Sequence, residues 1–217
     1  MDFLLKNKTA IVTGGTKGIG FAIAENLLSY GCNVAICSRN KININSAKNK
    51  LKKKYENFYI QKVDVIVDKE IDIIDKNVLK KFNKVDILIN NVGGGGEVGK
   101  KNFDSTSYKL WNSTIETNLG SAVKFTKLCL PNMKKNKWGR VISISSISTN
   151  KFTGRPWYNV AKNSQNAFIN SLSAKKTYVK NGITFNIVSP GSIMTQSSYL
   201  FKLKKNNRKK FNEILKN

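Results

Sequence analysis

Tyr158 and Lys162 stand four residues apart, a spacing that places both side chains on the same side of a helix. A lysine ammonium so close to a tyrosine phenol can act on its proton, so the pair predicts a proton donor with its own activating cation. The sequence contains no histidine, the commonest general acid or base. Acid–base chemistry here must therefore use Tyr, Lys or carboxylates. A half-buried helix with a solvated lysine is the alternative interpretation.

A glycine-rich turn follows the first predicted strand. Residues 9–13 form a short apolar β-rich run that enters the turn at 14–20, and residues 21–28 then have helical spacing. Glycines in such a unit permit the tight turn and let the backbone approach a pyrophosphate, while the helix N-terminus offers unpaired N–H groups to phosphate. The turn therefore predicts a phosphate site, and a plain strand-to-helix connection is the alternative.

The residue that follows the second predicted strand indicates which dinucleotide would fit. This strand covers residues 33–38, and Arg39 comes directly after Ser38. An acidic residue at this strand end binds a ribose 2′-hydroxyl, whereas arginine accommodates a 2′-phosphate. Because no Asp or Glu stands there and Lys17 adds positive charge in the glycine turn, we expect NADP(H) in preference to NAD(H). A surface arginine without this role is the alternative.

Helical and strand patterns alternate along the whole chain. We predict further strands at 58–63, 85–90, 141–145 and 183–188, and helices at 48–55, 71–82, 111–133 and from Tyr158 to about residue 179. This alternation predicts an α/β fold with a Rossmann-type doubly wound parallel sheet, helices on both faces, and ligands beyond the carboxyl ends of the strands. A second glycine loop at 93–96 follows a strand, so it should share that edge. A flexible linker is the alternative for this loop.

Length and composition limit the function classes. The 217 residues suit one domain, 1–217, and no run approaches the roughly 18 apolar residues of a membrane helix. The three cysteines, Cys32, Cys37 and Cys129, show no C-x-x-C spacing, so neither a disulfide framework nor a metal site is expected. Because no signal peptide is apparent at the start, we expect a cytoplasmic protein.

The net charge of +25 could indicate a nucleic-acid partner. The lysine clusters are spread over predicted outer helix faces and loops, however, and no basic-aromatic binding module is recognisable. We therefore expect a solvated basic surface and no nucleic-acid site; salt-dependent retention on DNA would mark the alternative.

Six motifs in order resemble the short-chain dehydrogenase/reductase family, in its common shorter branch. They are T-G-x-x-x-G-I-G at 13–20, N-N-x-G at 90–93, Asn118, Ser146, Y-x-x-x-K at 158–162, and P-G-x-I-x-T at 190–195. The chain is most similar to the 3-oxoacyl-acyl-carrier-protein reductase-like members, although many sugar, steroid and secondary-metabolite reductases share these motifs.

The resemblance implies both a catalytic tetrad and a set of cofactor contacts. The tetrad falls on Asn118, Ser146, Tyr158 and Lys162, with Ser146 preferred to the adjacent Ser145. Asp64 and Val65 match an adenine-contacting pair, and Thr195 matches the residue that holds the nicotinamide carboxamide. The expected cofactor-binding residues are Gly14, Thr16, Lys17, Gly18, Ile19, Gly20, Ser38, Arg39, Asp64, Val65, Asn91, Val92, Gly93, Tyr158, Lys162, Pro190, Gly191, Ile193 and Thr195.

The activity implied by the resemblance is NADPH-dependent reduction of a ketone to a secondary alcohol, or the reverse. Tyr158 would protonate the ketone oxygen, Ser146 would hydrogen-bond it, and Asn118 would position a water. Lys162, together with the charge of the oxidised nicotinamide, would bring the pKa of Tyr158 nearer neutrality and also bind the cofactor ribose. A non-catalytic dinucleotide-binding relative with a regulatory role is the alternative.

Two features depart from the family pattern. Val92 replaces the usual alanine of N-N-A-G, and the sequence given stops at Asn217, where family members continue. We therefore expect the last strand to be missing, with an unpaired sheet edge, and residues 194–217 to form only a partial substrate lid.

Substrate class and assembly follow from the variable regions. Segments 94–108, 148–157 and 194 onward shape the pocket in the family, and here they carry Lys100, Lys101, Lys151 and Arg155. These cations predict a small carbonyl or alcohol substrate that is anionic, such as a carrier-linked or phosphorylated ketone. The helices at 111–133 and 156–179 match the family's dimer interface, which predicts a homodimer or homotetramer.

Overall fold

A six-stranded parallel sheet organises the chain, in the order β3-β2-β1-β4-β5-β6. The computed structural model describes residues 3–95, 103–151, 155–195, 199–208 and 211–212. The strands are β1 (Thr9–Thr13), β2 (Asn33–Ser38), β3 (Phe58–Lys62), β4 (Ile87–Asn90), β5 (Gly139–Ile144) and β6 (Ile183–Val188). In the described part of the chain, β3 and β6 are the two edges. The predicted doubly wound sheet is confirmed.

Helices cover both faces of the sheet. Helices α1 and α2 pack on one face, and α3, α5 and α7 pack on the other. The described helices are α1 (Gly18–Ser29), α2 (Lys41–Leu51), α3 (Asp68–Phe82), α4 (Tyr108–Ile115), α5 (Ser121–Lys135), α6 (Ser148–Lys151), α7 (Pro156–Ser173), α8 (Lys176–Val179) and α9 (Tyr199–Asn206). None of them combines the length and apolar character needed to cross a bilayer.

The central strand β1 is buried along its whole length, as expected for a parallel strand with helices on both sides. Ile11 belongs to the core cluster under α3, α5 and α7, and Val12 to the cluster under α1 and α2. Val12 is level with Ile36 of β2 and Ile89 of β4. This register brings the carboxyl ends of the central strands to one edge, where the two glycine loops emerge.

Helix α2 begins earlier than the sequence pattern predicts. The expected range was 48–55, whereas the helix runs over Lys41–Leu51. The side-chain oxygen of Asn40 accepts a hydrogen bond from the Asn43 N–H at 2.9 Å. This N-cap sets the start, because it satisfies an N–H group that has no partner within the first helical turn.

The long helix predicted at 111–133 is divided. Helix α4 passes into a π-helical turn at Glu116–Gly120 before α5 continues the same path. The helix predicted at 156–179 is also interrupted, since α7 ends at Ser173 and α8 is a separate short helix. Apolar periodicity does not distinguish i→i+4 from i→i+5 bonding, which explains the first difference.

The tail expected to form a partial substrate lid contains α9, from Tyr199 to Asn206. Leu203 and Phe211 are buried and form a small cluster apart from the two main core clusters. Residues 196–198, 209–210 and 213–217 of the predicted partial lid lie outside the described residues.

Candidate active site

The first glycine loop joins β1 to α1 at the carboxyl edge of the sheet. Helix α1 begins at Gly18, and Lys17 before it makes no side-chain capping hydrogen bond. A Cβ atom at Gly20 would lie 2.4 Å from the Asn91 side-chain nitrogen and 2.7 Å from the Gly14 carbonyl oxygen. Only glycine allows this close packing of helix on loop, and uncapped N–H groups at a helix start suit a phosphate.

Hydrogen bonds between Thr13 and Asn91 join the first glycine loop to the end of β4. The Asn91 side-chain nitrogen donates to the Thr13 carbonyl at 2.8 Å and to the Gly14 carbonyl at 3.3 Å. The Thr13 hydroxyl accepts from the backbone N–H groups of Asn91 and Val92 at 2.9 and 3.0 Å. The ends of β1 and β4 are therefore fixed relative to each other.

A cleft of about 610 Å³ lies between these two strand ends, within the usual size range of cofactor sites. Most of the predicted cofactor residues line it. They are Gly14, Lys17, Gly18, Ile19, Gly20, Ser38, Arg39, Asp64, Val65, Asn91, Val92, Gly93, Gly191, Ile193 and Thr195.

Four predicted cofactor residues do not line this cleft, and five lining residues were missed. Two of the four are Tyr158 and Lys162, which lie on α7. Thr16 is buried, and Pro190 lines a neighbouring apolar groove on α1. The cleft is also lined by Asn40, Asn43, Val63, Ile66 and Thr117. The capping signal at Asn40 could have identified the first of these, and Val63, Ile66 and Thr117 are direct sequence neighbours of predicted site residues.

Positive charge marks the end of the cleft beyond β2. The side chain of Arg39 is 71% exposed and pairs with the Asp64 carboxylate at 3.8 Å. Lys17, at the start of α1, is exposed. An exposed ion pair of this length contributes little to stability, so it leaves the guanidinium available to a ligand.

The second glycine loop is held by side chains from two helical segments. The Asn118 amide accepts from the Gly94 N–H at 3.2 Å and donates to the Gly94 carbonyl at 3.0 Å. The Gly95 carbonyl accepts from Arg155 Nη1 at 3.1 Å and from Trp157 Nε1 at 2.8 Å. The interpretation as a flexible linker is therefore wrong for residues 93–95, and Gly96 lies outside the described residues.

Asn118 lies in the π turn and is fully buried. Its side-chain nitrogen also donates to the Thr114 carbonyl at 2.7 Å. With its amide bonded to both the helix and Gly94, this residue orders the second glycine loop. An internal asparagine on an apolar helix is the only sequence signal for this role, and it does not identify the partner.

Ser146, rather than Ser145, contacts Tyr158. The Ser146 hydroxyl lies close enough to the Tyr158 phenol to lower its pKa, and it accepts a hydrogen bond from the backbone N–H of Ser148 at 3.2 Å. The Ser145 hydroxyl is buried and has no hydrogen-bond partner among the described residues. The structure thus brings Ser146 and Tyr158 together at the carboxyl end of β5.

The pKa of Tyr158 differs from the expectation. Burial raises it above its usual value, and the hydrogen bond with Ser146 and the positive charge of Arg155 oppose part of that rise. Arg155 is thus a second cation that acts on Tyr158, besides Lys162, for which the same role stays a prediction. Arg155 directly precedes α7, three residues before Tyr158, so the local spacing could have indicated it.

The Lys162 ammonium is held by acceptors inside the protein. It donates to the Ile144 carbonyl at 2.8 Å and to the Gln165 side-chain oxygen at 2.9 Å. Burial lowers the pKa of Lys162 to about 8. A Cβ atom at Gly93 would lie 2.8 Å from this ammonium nitrogen and 2.5 Å from the Asn118 side-chain oxygen. Glycine is therefore required where the loop passes Lys162 and Asn118.

Comparisons with known proteins agree with this geometry. Residues 8–205 match the family model described as short chain dehydrogenase. The chain is 34% identical to the 3-oxoacyl-[acyl-carrier-protein] reductase of Salmonella typhimurium over 192 residues, 88% of this chain and 75% of that protein. It is 31% identical to the rat 15-hydroxyprostaglandin dehydrogenase [NAD(+)] over 198 residues, 88% of this chain and 70% of that protein.

A solved structure shares the same fold. It is a short-chain dehydrogenase/reductase of unknown function from Caenorhabditis elegans, crystallised with cofactor. The two chains superpose with a TM-score of 0.84 at 27% identity, covering 94% of this chain and 79% of the other.

The buried ammonium predicts a pH-dependent contribution to stability. The pKa of Lys162 falls from 10.5 to about 8 on folding, so the folded chain releases this proton at lower pH than the unfolded chain. Stability should therefore rise between about pH 8 and 10.5. Relative to Lys162→Met, the wild-type free energy of unfolding should rise by about 3 kcal/mol over that range, as measured by urea unfolding.

Lys53→Met is the matched control because Lys53 is exposed. Its free-energy difference from wild type should not change with pH. If the free energy of unfolding changed with pH in the same way for wild type and Lys162→Met, the prediction of a lowered pKa for Lys162 in the folded chain would be wrong.

Proposed function

Since the chain belongs to the short-chain dehydrogenase family, we propose that it is an NADP(H)-dependent oxidoreductase that interconverts a ketone and a secondary alcohol. The placement of the Ser146 hydroxyl beside Tyr158, close enough to lower the pKa of its phenol, carries this proposal. It places a proton donor and a second hydroxyl at the strand edge that also bears the cleft and the Lys162 ammonium. A non-catalytic dinucleotide-binding protein has no need of this arrangement.

The residues around the cleft fit a nicotinamide dinucleotide. The uncapped start of α1 and the closely packed glycine turn suit a pyrophosphate, and Asp64 and Val65, which line the cleft, would contact the adenine. Ile193 and Thr195 line the same cleft and would hold the nicotinamide end. When bound, the nicotinamide supplies or accepts the hydride.

Tyr158 serves as the general acid for ketone reduction. Because its pKa is raised, the phenol stays protonated at neutral pH and has a proton to donate. Ser146, hydrogen-bonded to it, donates a hydrogen bond to the substrate oxygen as negative charge develops there. In the oxidative direction the same tyrosine accepts the proton.

Lys162 and Asn118 support this proton transfer. Near pH 7 the Lys162 ammonium keeps its charge, since its pKa is about 8, and it stabilises the tyrosinate that forms on proton donation. Lys162 also binds the cofactor ribose in this proposal, and Asn118 positions a water for proton relay. The hydrogen bonds of Asn118 to Gly94 support its position at the site.

The preference for NADP(H) depends on the charge beyond β2. Arg39 and Lys17 both line the cleft, and Ser38 rather than an acidic residue ends the strand. A guanidinium binds a phosphate with charge-assisted hydrogen bonds, whereas a 2′-hydroxyl gains less from it.

We also propose an anionic substrate. Arg155 is bonded to the second glycine loop and acts electrostatically on Tyr158, so its charge lies near the reacting oxygen. Lys151 is exposed at the end of α6, while Lys100 and Lys101 lie outside the described residues. A substrate with a carboxylate or phosphate, such as a carrier-linked or phosphorylated ketone, suits this charge.

We also propose that the protein is a homo-oligomer in the cytoplasm. Helices α4, α5 and α7 would form a homodimer or homotetramer, which light scattering would detect. Cys32, Cys37 and Cys129 are free and buried, which is typical of a reducing compartment such as the cytoplasm.

Tyr158→Phe should abolish turnover while NADPH still binds. Removing the phenolic proton should lower kcat for ketone reduction by about 10²–10⁴-fold, as measured by NADPH oxidation over a panel of ketones. Tyr178→Phe, on α8, is the control and should keep wild-type activity. NADPH binding without turnover of any ketone by the wild-type protein would overturn the enzyme proposal in favour of a binding role.

Arg39→Ser should reduce the preference for NADPH. Loss of charge-assisted bonds to the 2′-phosphate should weaken NADPH binding by roughly 10- to 100-fold and leave NADH affinity within about twofold. Titration calorimetry with both dinucleotides measures the ratio, and exposed Lys53→Ser is the charge-matched control. An equal effect on both dinucleotides would exclude phosphate recognition by Arg39.

Arg155→Met should affect anionic substrates selectively. We expect the KM for a ketone carrying a carboxylate to rise roughly tenfold, because a charge-assisted bond is lost, while its methyl ester is affected much less. The effect of Arg155 on Tyr158 is common to both compounds, so their ratio isolates substrate recognition. Equal activity of the wild-type enzyme on acid and ester would count against the anionic substrate.

A further inference from the structure

Gln165 lies on α7, three residues after Lys162, and its side chain is completely buried. A primary amide is costly to bury, because its carbonyl and its two N–H groups lose their hydrogen bonds to water. The buried neighbours Ala161 and Ile169 on the same helix are apolar. An apolar side chain would suit packing at position 165 better, so the amide needs another explanation.

The hydrogen bonds of Gln165 give that explanation. Its side-chain oxygen accepts from the Lys162 ammonium at 2.9 Å. Its side-chain nitrogen is buried and has no hydrogen-bond partner among the described residues. Within the described residues, the hydrogen bond from Lys162 is therefore the favourable interaction that the amide makes, and its buried N–H group is left unsatisfied.

The ammonium has three N–H donors on a flexible stem. The Ile144 carbonyl of β5 accepts one at 2.8 Å and Gln165 accepts a second. Two acceptors from different elements fix the nitrogen in space, and one donor remains for the adjoining site. Because Lys162 is only 3% exposed, these oxygen dipoles replace the water that a charged lysine would otherwise hold.

The groups that contact the Lys162 ammonium in the described part of the chain are neutral, so its charge is stabilised by their dipoles. Asn118 on the π turn and Gly93 on the second glycine loop both approach it, and neither is charged. On α7 itself, Tyr158 is the other titratable side chain, and Arg155 directly precedes the helix. Within the described residues, no carboxylate is among these neighbours to hold the lysine proton.

We propose that Gln165 is a positioning residue that fixes the Lys162 ammonium and favours its charged form. Its importance for turnover rests on the proposed oxidoreductase function, in which the charged lysine stabilises the tyrosinate of Tyr158. The contact itself does not depend on that function.

The direct test is the titration of the Lys162 nitrogen in lysine-labelled protein, followed by NMR and assigned by its loss in Lys162→Met. Gln165→Leu removes the acceptor, so the titration midpoint should fall by about one pH unit. Gln165→Glu places a carboxylate at the same reach, so the midpoint should rise. Opposite shifts in the two variants would not result from a general loss of packing.

The kinetic test uses the same variants. The alkaline limb of kcat/KM for ketone reduction should move down for Gln165→Leu and up for Gln165→Glu, with a roughly tenfold loss for Gln165→Leu at pH 8. Ile169→Val, one turn further along α7, changes packing only and should leave both the titration and the alkaline limb unchanged. If Gln165→Leu unfolds, Gln165→Met removes the amide while keeping the length of the side chain.

The outcomes separate this inference from the proposed function. A midpoint unchanged in both Gln165 variants would overturn the positioning role. An absence of ketone reduction in the wild-type protein, with the midpoint still dependent on residue 165, would overturn the oxidoreductase proposal and leave the role of Gln165 standing.

Discussion

The hydrogen bonds between Thr13 and Asn91 are the constraint on which the site depends. They join the ends of two neighbouring parallel strands, at the point where one glycine loop leaves β1 and the other leaves β4. Parallel strands by themselves align only the direction of the chain, and the loops after them are free to diverge. Because Asn91 bonds the backbone of the first loop, the two strand ends that flank the cleft are held together.

The chemistry of the site depends on burial that would be unfavourable elsewhere. Lys162 and Asn118 are both removed from water, and each is compensated by hydrogen bonds to backbone carbonyls, with the Gln165 amide as a further acceptor for Lys162. Burial also has opposite effects on the charges of the reacting pair, since it favours the neutral phenol of Tyr158 and weakens the positive charge of Lys162. Arg155 and the oxygen dipoles around Lys162 partly oppose these two effects.

The sequence predicts the sheet and most of the cleft, because strand periodicity and glycine turns are local signals. Three strands have the expected bounds, and fifteen of the predicted cofactor residues line the cleft. The missed features depend on hydrogen-bond partners that the sequence does not specify. Apolar spacing continues unchanged through the π turn, so it cannot reveal the bonding at Asn118. Likewise, the sequence places Gln165 on the right helix but cannot indicate that its amide faces Lys162 rather than solvent.

The Gly95 carbonyl accepts two hydrogen bonds, and these link the second glycine loop to the cation beside Tyr158. Arg155 and Trp157 donate to the same oxygen from the beginning of α7, so outward movement of the loop must break both bonds together. These bonds act in addition to those between Asn118 and Gly94, so the loop is held from both helical segments. A displacement of Gly95 would separate it from Arg155 and change the electric field at the Tyr158 phenol. The shape of the pocket and the acidity of the proton donor therefore depend on the same anchor.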